Sequence, residues 1–187
     1  MSGFGTLIGV TFVIGLLLSM ITSTFTMNLE ASSQSFESLS EHSLLFEKEL
    51  KSKIRIDNVQ IKQGGTVFTA KISNIGSYSI RASEFYKIDL ILDYTNTANV
   101  KLALRIPFSQ RQTQNKWTVK NIYTDGVIGE ASNPIRLTTL SGHWDPNEQI
   151  EIEVQFSSSY AINQDKPLIM TFSLPNGVKT SFTYLGG

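Results

Sequence analysis

The chain opens on an unbroken apolar run, and no charged side chain appears before Glu30. Phe4 to Ile21 reads FGTLIGVTFVIGLLLSMI, 18 residues, and uncharged positions 22–27 prolong it. About 20 such residues in a helix cross roughly 30 Å of hydrocarbon. Only a helix or a closed barrel satisfies its own backbone in lipid. The pattern therefore predicts a membrane helix over 1–27, with Phe4, Gly5, Gly9, Phe12, Leu16 and Leu18 among its lipid-facing or packing residues. A helix buried in a filament core has the same all-round apolar character. Gly5 and Gly9 stand in G-x-x-x-G, a spacing that lets two helices approach closely. No Lys or Arg precedes the run and no small-residue cleavage pattern follows it, so it reads as retained.

The helical period continues over 28–53 but becomes amphipathic. Leu29, Phe36, Leu39, Phe46 and Leu50 fall at a and d positions of one heptad register. Ser32 and Ser43 fill the two remaining positions. The segment is expected to be a stalk helix that either self-associates through this seam or packs one face on its own domain.

From Ile54 the period changes to two. Strands are predicted from Ile54 to Ile61, Thr66 to Ser73, Tyr86 to Tyr94, Val100 to Ile106 and Trp117 to Tyr123. Ile150, Ile152, Val154 and Phe156 alternate with Glu151, Glu153 and Gln155 in the clearest strand of the chain. Leu168–Phe172 and Val178–Thr183 flank Pro175-Asn176-Gly177, a hairpin turn signal. Gly64-Gly65 and Asp145-Pro146-Asn147-Glu148 mark further turns. Seven or eight short strands with regular turns predict a mainly β domain over 54–187, an immunoglobulin-like sandwich.

Composition narrows the function. Lys+Arg and Asp+Glu are both 16, so no net charge steers the chain onto nucleic acid. The absence of cysteine excludes a disulfide framework and thiolate metal sites. His42 and His143 have no partner at metal-ligand spacing. No phosphate-cradling glycine loop and no G-x-S-x-G elbow is present. Asp89 and Asp93 share a strand face opposite Ile88, Leu90 and Leu92, which makes them a solvated pair. The expectation is a non-catalytic protein with no cofactor and no metal. Aromatics and Arg often anchor interfaces, so Tyr78, Phe85, Tyr86, Phe108, Arg111 and Trp117 form the candidate docking surface.

Several stretches carry a family resemblance. Ser2-Gly3-Phe4-Gly5-Thr6-Leu7-Ile8 resembles the N-terminus of mature archaellins. Ile72-Ser73-Asn74-Ile75-Gly76-Ser77, the Ile88–Leu92 strand, Trp144-Asp145-Pro146-Asn147-Glu148 and Pro175-Asn176-Gly177-Val178 are similar to the β-sandwich of the archaellin superfamily. That superfamily includes archaellins and the archaellum accessory proteins FlaF and FlaG. An archaellin precursor carries a short basic leader, whereas here the apolar segment follows Met1 at once. The resemblance therefore implies a membrane-anchored stator component of the FlaF or FlaG type. Its N-terminus would lie inside and its sandwich outside, docked on surface-layer protein or other archaellum components. The acidic, Lys-poor flank from Glu30 to Glu47 fits the outer side. The alternative is a filament subunit whose N-terminal helix packs in the filament core. Homo-oligomers through the stalk or the sandwich fit either expectation.

Overall fold

A computed structural model describes residues 3–129 and 133–186, with the side chains at 3–7, 31, 40–42 and 45 outside that description. The side chains of Phe4 and Gly5, and of His42 in the stalk, thus lie outside the described residues. The chain divides into two compact units, Met1–Phe46 and Glu47–Gly187.

The first unit is helical. A single helix, α1, runs Gly3–Lys51 through both the apolar and the amphipathic segments, 49 residues without a break. At about 1.5 Å per residue it is roughly 74 Å long. The stretch Ile8–Leu39 within it is long and apolar enough to cross a membrane. Its threonines do not leave hydroxyls unpaired. Thr22 donates to the Leu18 carbonyl at 2.9 Å, Thr24 to Met20 at 2.8 Å and Thr26 to Thr22 at 3.1 Å. Such back-bonding lets a hydroxyl sit in apolar surroundings without a foreign partner.

The second unit is a two-sheet sandwich. Its strands are β1 (Ile54–Lys62), β2 (Val67–Asn74), β3 (Ile80–Arg81), β4 (Asp89–Thr95), β5 (Lys101–Ile106) and β6 (Trp117–Thr124). They continue as β7 (Val127–Ile128), β8 (His143–Trp144), β9 (Glu148–Gln155), β10 (Leu168–Ser173) and β11 (Lys179–Tyr184). One sheet has the order β1-β2-β9-β6-β7 and the other β11-β10-β4-β5, while β3 and β8 pair separately. The named pairings are antiparallel. With β1, β2, β4, β5, β6, β9, β10 and β11 taken as A, B, C, C′, D, E, F and G, the sheets read ABED and GFCC′. This is the immunoglobulin-like order, with the extra C′ strand that variable-type domains carry.

Alternation sets the core. Ile150, Ile152 and Val154 of β9, Leu90 and Leu92 of β4, and Leu168, Met170 and Phe172 of β10 are fully buried between the sheets. In β1 the buried positions change phase, from Ile54 and Ile56 to Val59. A bulge between Ile56 and Asn58 inserts the extra residue that makes this possible. Asp89 and Asp93 face outward and pair across the strand with Arg105 at 2.5 Å and Lys101 at 3.7 Å. The predicted strand over Tyr86–Tyr94 begins later, at Asp89. Residues Ala82–Lys87 instead form a 3-10 turn closed by the Ile88 amide on the Phe85 carbonyl, which swings Phe85 into the core.

Aromatic rings link the two sheets. Phe108 lies 4.6 Å from Trp117, Trp117 lies 5.9 Å from Phe172, and Phe172 lies 6.4 Å from Trp144. Both tryptophans of the chain belong to this cluster, so their fluorescence reports on the sandwich alone. Replacing Phe172 by Ala removes the ring between them and is expected to cost about 3–5 kcal/mol, read as an early transition in tryptophan-monitored denaturation.

Candidate assembly surfaces

Three regions bear on what the chain can contact. The first is the helix. Phe12, Leu16, Leu18, Phe25 and Leu29 are exposed in the single chain, and so are Phe36, Leu39, Leu44, Phe46 and Leu50 further along. Gly9 and Gly15 leave notches in which an added Cβ would meet nothing within 4 Å. Apolar surface of this extent marks a contact with lipid or protein.

The second region is the last helical turn, which belongs to the sandwich unit. The final carbonyls of a helix have no intrahelical donors, and here the sandwich supplies them. Asn176, at the tip of the β10–β11 hairpin, donates to the Lys48 carbonyl at 3.2 Å and to Ser52 Oγ at 2.7 Å. The Ser77 amide donates to the Lys51 carbonyl at 2.8 Å, and the Ile75 amide to Lys53 at 2.9 Å. Between them Gly76 passes so close that a Cβ would stand 2.4 Å from the Lys51 carbonyl oxygen and 2.5 Å from the Lys53 nitrogen. Lys48 Nζ sits 5.7 Å above the Tyr78 ring. Asn74 holds this loop from behind, donating to the carbonyls of Tyr78 at 2.9 Å and Trp144 at 3.1 Å.

The third region is the predicted docking surface, and it needs correction. Phe85 and Trp117 are 0% exposed and Phe108 is 5% exposed. These three rings pack on one another in the core, so they are not free to dock. Tyr78 is half-buried under Lys48. Tyr86, 52% exposed, and Arg111 remain on the surface. Tyr86 is held edge-on against Phe108 at 5.0 Å.

Elsewhere the outer faces carry paired polar groups beside a few exposed apolar residues, Ile91, Ile169, Val127 and Ile128 among them. Tyr123 donates to Glu151 at 2.6 Å, Asn121 to the same carboxylate at 2.8 Å, and Lys120 pairs with Glu153 at 2.6 Å. Lys71 lies 4.1 Å over the Tyr123 ring. Burial tends to raise the Glu151 carboxyl, but these donors and the nearby lysines outweigh it and hold it below its ordinary value. Asp57 behaves alike: burial is outweighed by donation from Ser73, Arg55 and Gln149, and its carboxyl is lowered. Glu148 is the opposite case. It is 3% exposed, and burial pushes its carboxyl above the ordinary range; the Asp145 amide that donates to it at 2.8 Å offsets only part of this. Among the described residues no group of three or more His, Asp or Glu is placed to hold a metal.

No protein-family model and no curated relative matches the chain. Among solved structures, a chain of the archaeal flagellum of Methanospirillum hungatei strain JF1 aligns with a TM-score of 0.57 at 12% identity. That alignment covers 100% of this chain and 94% of the other. The archaellum periplasmic stator protein FlaG from Sulfolobus acidocaldarius aligns over 71% of this chain and 99% of its own, with a TM-score of 0.47 at 13% identity. The stator protein complex of FlaF and FlaG from the same organism aligns over 70% of this chain and 87% of that one, at 0.48 and 14%. The fold, a long N-terminal apolar helix followed by a β-sandwich, is thus that of the archaeal flagellum chain.

Two outcomes are expected at these sites. Asn176→Ala should destabilise the sandwich by about 1–2 kcal/mol; Gly76→Ala should do more, and both should lose hydrogen-exchange protection at the Ile75 and Ser77 amides. The Glu148 effect runs with pH. A carboxyl raised on folding contributes stability below its unfolded value and loses it as pH rises through its folded value. Glu148→Gln is therefore expected to raise the unfolding midpoint at pH 7–8, an advantage that vanishes in acid; a lower midpoint at pH 7 would refute the assignment.

Proposed function

We propose that this protein is a non-catalytic structural component of an archaellum, assembled as a filament-type subunit whose N-terminal helix is buried against the helices of neighbouring copies. The observation that carries the reading is the reach of the apolar surface along α1. A bilayer core covers about 20 residues of helix. Phe46 and Leu50 lie beyond even the span-like stretch Ile8–Leu39 and are still exposed. A sheath of like helices covers them and the leading apolar run with one kind of contact. The likeness of fold to an archaeal flagellum chain, over helix and sandwich together, supports the same reading.

A second reading is favoured by the stretch Ile8–Leu39, which has the length and composition of a membrane span. In it, lipid holds the leading helix and the amphipathic stalk carries the sandwich outside the cell. There the sandwich docks as a stator on surface-layer protein or on other archaellum components. The helix notches and the heptad seam serve association in either setting.

Shearing of cells separates the two. The filament reading expects the chain in the sheared, detergent-free filament fraction, and expects Leu16→Glu to abolish its incorporation. Recovery only from detergent-extracted membranes would contradict that reading and support the anchored stator.

A further inference from the structure

The chain has no net charge, yet its charges are segregated. Residues 1–47 contain Glu30, Glu37, Glu41 and Glu47 and no Lys or Arg. Residues 105–124 contain Arg105, Arg111, Lys116 and Lys120 and no Asp or Glu. In the second stretch Arg105 and Lys120 are neutralised within their own sheets, by Asp89 and Glu153. Arg111 and Lys116 are exposed and form no ion pair among the described residues, and neither does Lys87 beside the exposed Tyr86.

Lys87 follows Tyr86 in the turn Ala82–Lys87, which also carries Glu84, while Arg111 and Lys116 lie in the loop between Phe108 and Trp117, the rings on which Tyr86 rests. Tyr86 rests on Phe108, and Phe108 on Trp117, so the ring is held from below by the core. Arg111 follows Phe108 in a loop that is folded on itself. The Arg111 amide donates to Ser109 Oγ at 3.4 Å, the Lys116 amide to the Thr113 carbonyl at 3.2 Å, and the Asn115 amide to Gln155 at 2.7 Å. A preformed basic surface beside a fixed aromatic has the composition of an interface anchor.

The helix offers the complementary surface. At 3.6 residues per turn, positions 30, 37 and 41 fall within about 40° of one another. In the heptad register they take b, b and f, away from the a and d seam of Leu29, Phe36, Leu39 and Phe46. With the seam turned toward like helices, this acidic face is left free to meet another surface. Glu30 and Glu37 are exposed and have no ion-pair partner among the described residues.

We propose that the acidic face of α1 around Glu30 and Glu37 docks on the Tyr86, Lys87, Arg111 and Lys116 surface of a neighbouring copy, fixing the register between the two copies. This rests on the filament reading. Complementary charge sets register and association rate more than affinity, and its effect is screened by salt.

The absence of cysteine makes the test clean. Full chains carrying Glu37→Cys and Arg111→Cys are co-assembled into filaments and treated with a short bis-maleimide, with Glu37→Cys plus Lys166→Cys as the control. A cross-linked dimer in the first mixture and not in the second supports the docking. Equal cross-linking in both, or none in filaments that have formed, overturns it while leaving the filament reading intact. Glu30→Lys with Glu37→Lys is expected to slow assembly about tenfold at low salt, with recovery when Lys87, Arg111 and Lys116 are changed to Glu in the same chain. Assembly at the unmodified rate, or no recovery, overturns the docking. Failure of the unmodified chain to assemble under any condition refutes the filament reading and the docking with it.

Discussion

Apolar surface removed from water contributes about 25 cal/mol per Å², and the protein is organised around where that surface lies. The sandwich covers most of its own: Leu90, Ile152, Met170 and their neighbours are sealed between two sheets, and outer-face charges pair, Arg105 with Asp89 and Lys120 with Glu153. The helix covers almost none. From Ile8 to Leu50 it presents Phe, Leu, Ile and Met outward. A helix with this surface needs lipid or protein to cover it, and the hydroxyls of Thr22, Thr24 and Thr26 are satisfied by their own turns. The sandwich thus holds a core of its own, whereas the helix leaves its apolar surface for lipid or protein to cover.

Where the helix ends, loops of the sandwich add donors to its last turn, beside the Ser52 amide and hydroxyl that already bond the Lys48 carbonyl. Asn176 and the amides of Ile75 and Ser77 take over carbonyls of the terminal helical residues and of Lys53 just after them. The close approach at Gly76 explains why no larger residue fits there. Ordinary loop chemistry, a Pro-Asn-Gly hairpin and an Asn-Ile-Gly-Ser turn, serves here as a helix cap.

The regular part of this fold was legible because alternation and burial coincide. The Ile150–Phe156 strand, the solvated Asp89 and Asp93 and the Pro175-Asn176-Gly177 turn all stand where period-two patterning puts them. The bulge in β1 was not read from the sequence, although the apolar positions change phase between Ile56 and Val59. What periodicity could not reveal is the fate of aromatics in irregular segments. Phe85 and Phe108 lie in a 3-10 turn and a crossover loop, where no neighbouring residue signals which way a ring points. Only tertiary packing sends them inward and leaves Tyr86 outside. The helix cap was illegible for a related reason. Asn176 and Gly76 are turn residues by local sequence, and their second role depends on a segment over twenty residues away in each case.

The two readings of function differ in what surrounds the lower half of α1. Lipid reaches at most the span-like stretch Ile8–Leu39, whereas a sheath of like helices reaches Phe46 as well. Single cysteines at Leu16 and at Phe46, in native assembled material, distinguish them by labelling with a water-soluble maleimide. Protection at both positions is the result this account expects. Protection at Leu16 with full labelling at Phe46 would contradict it.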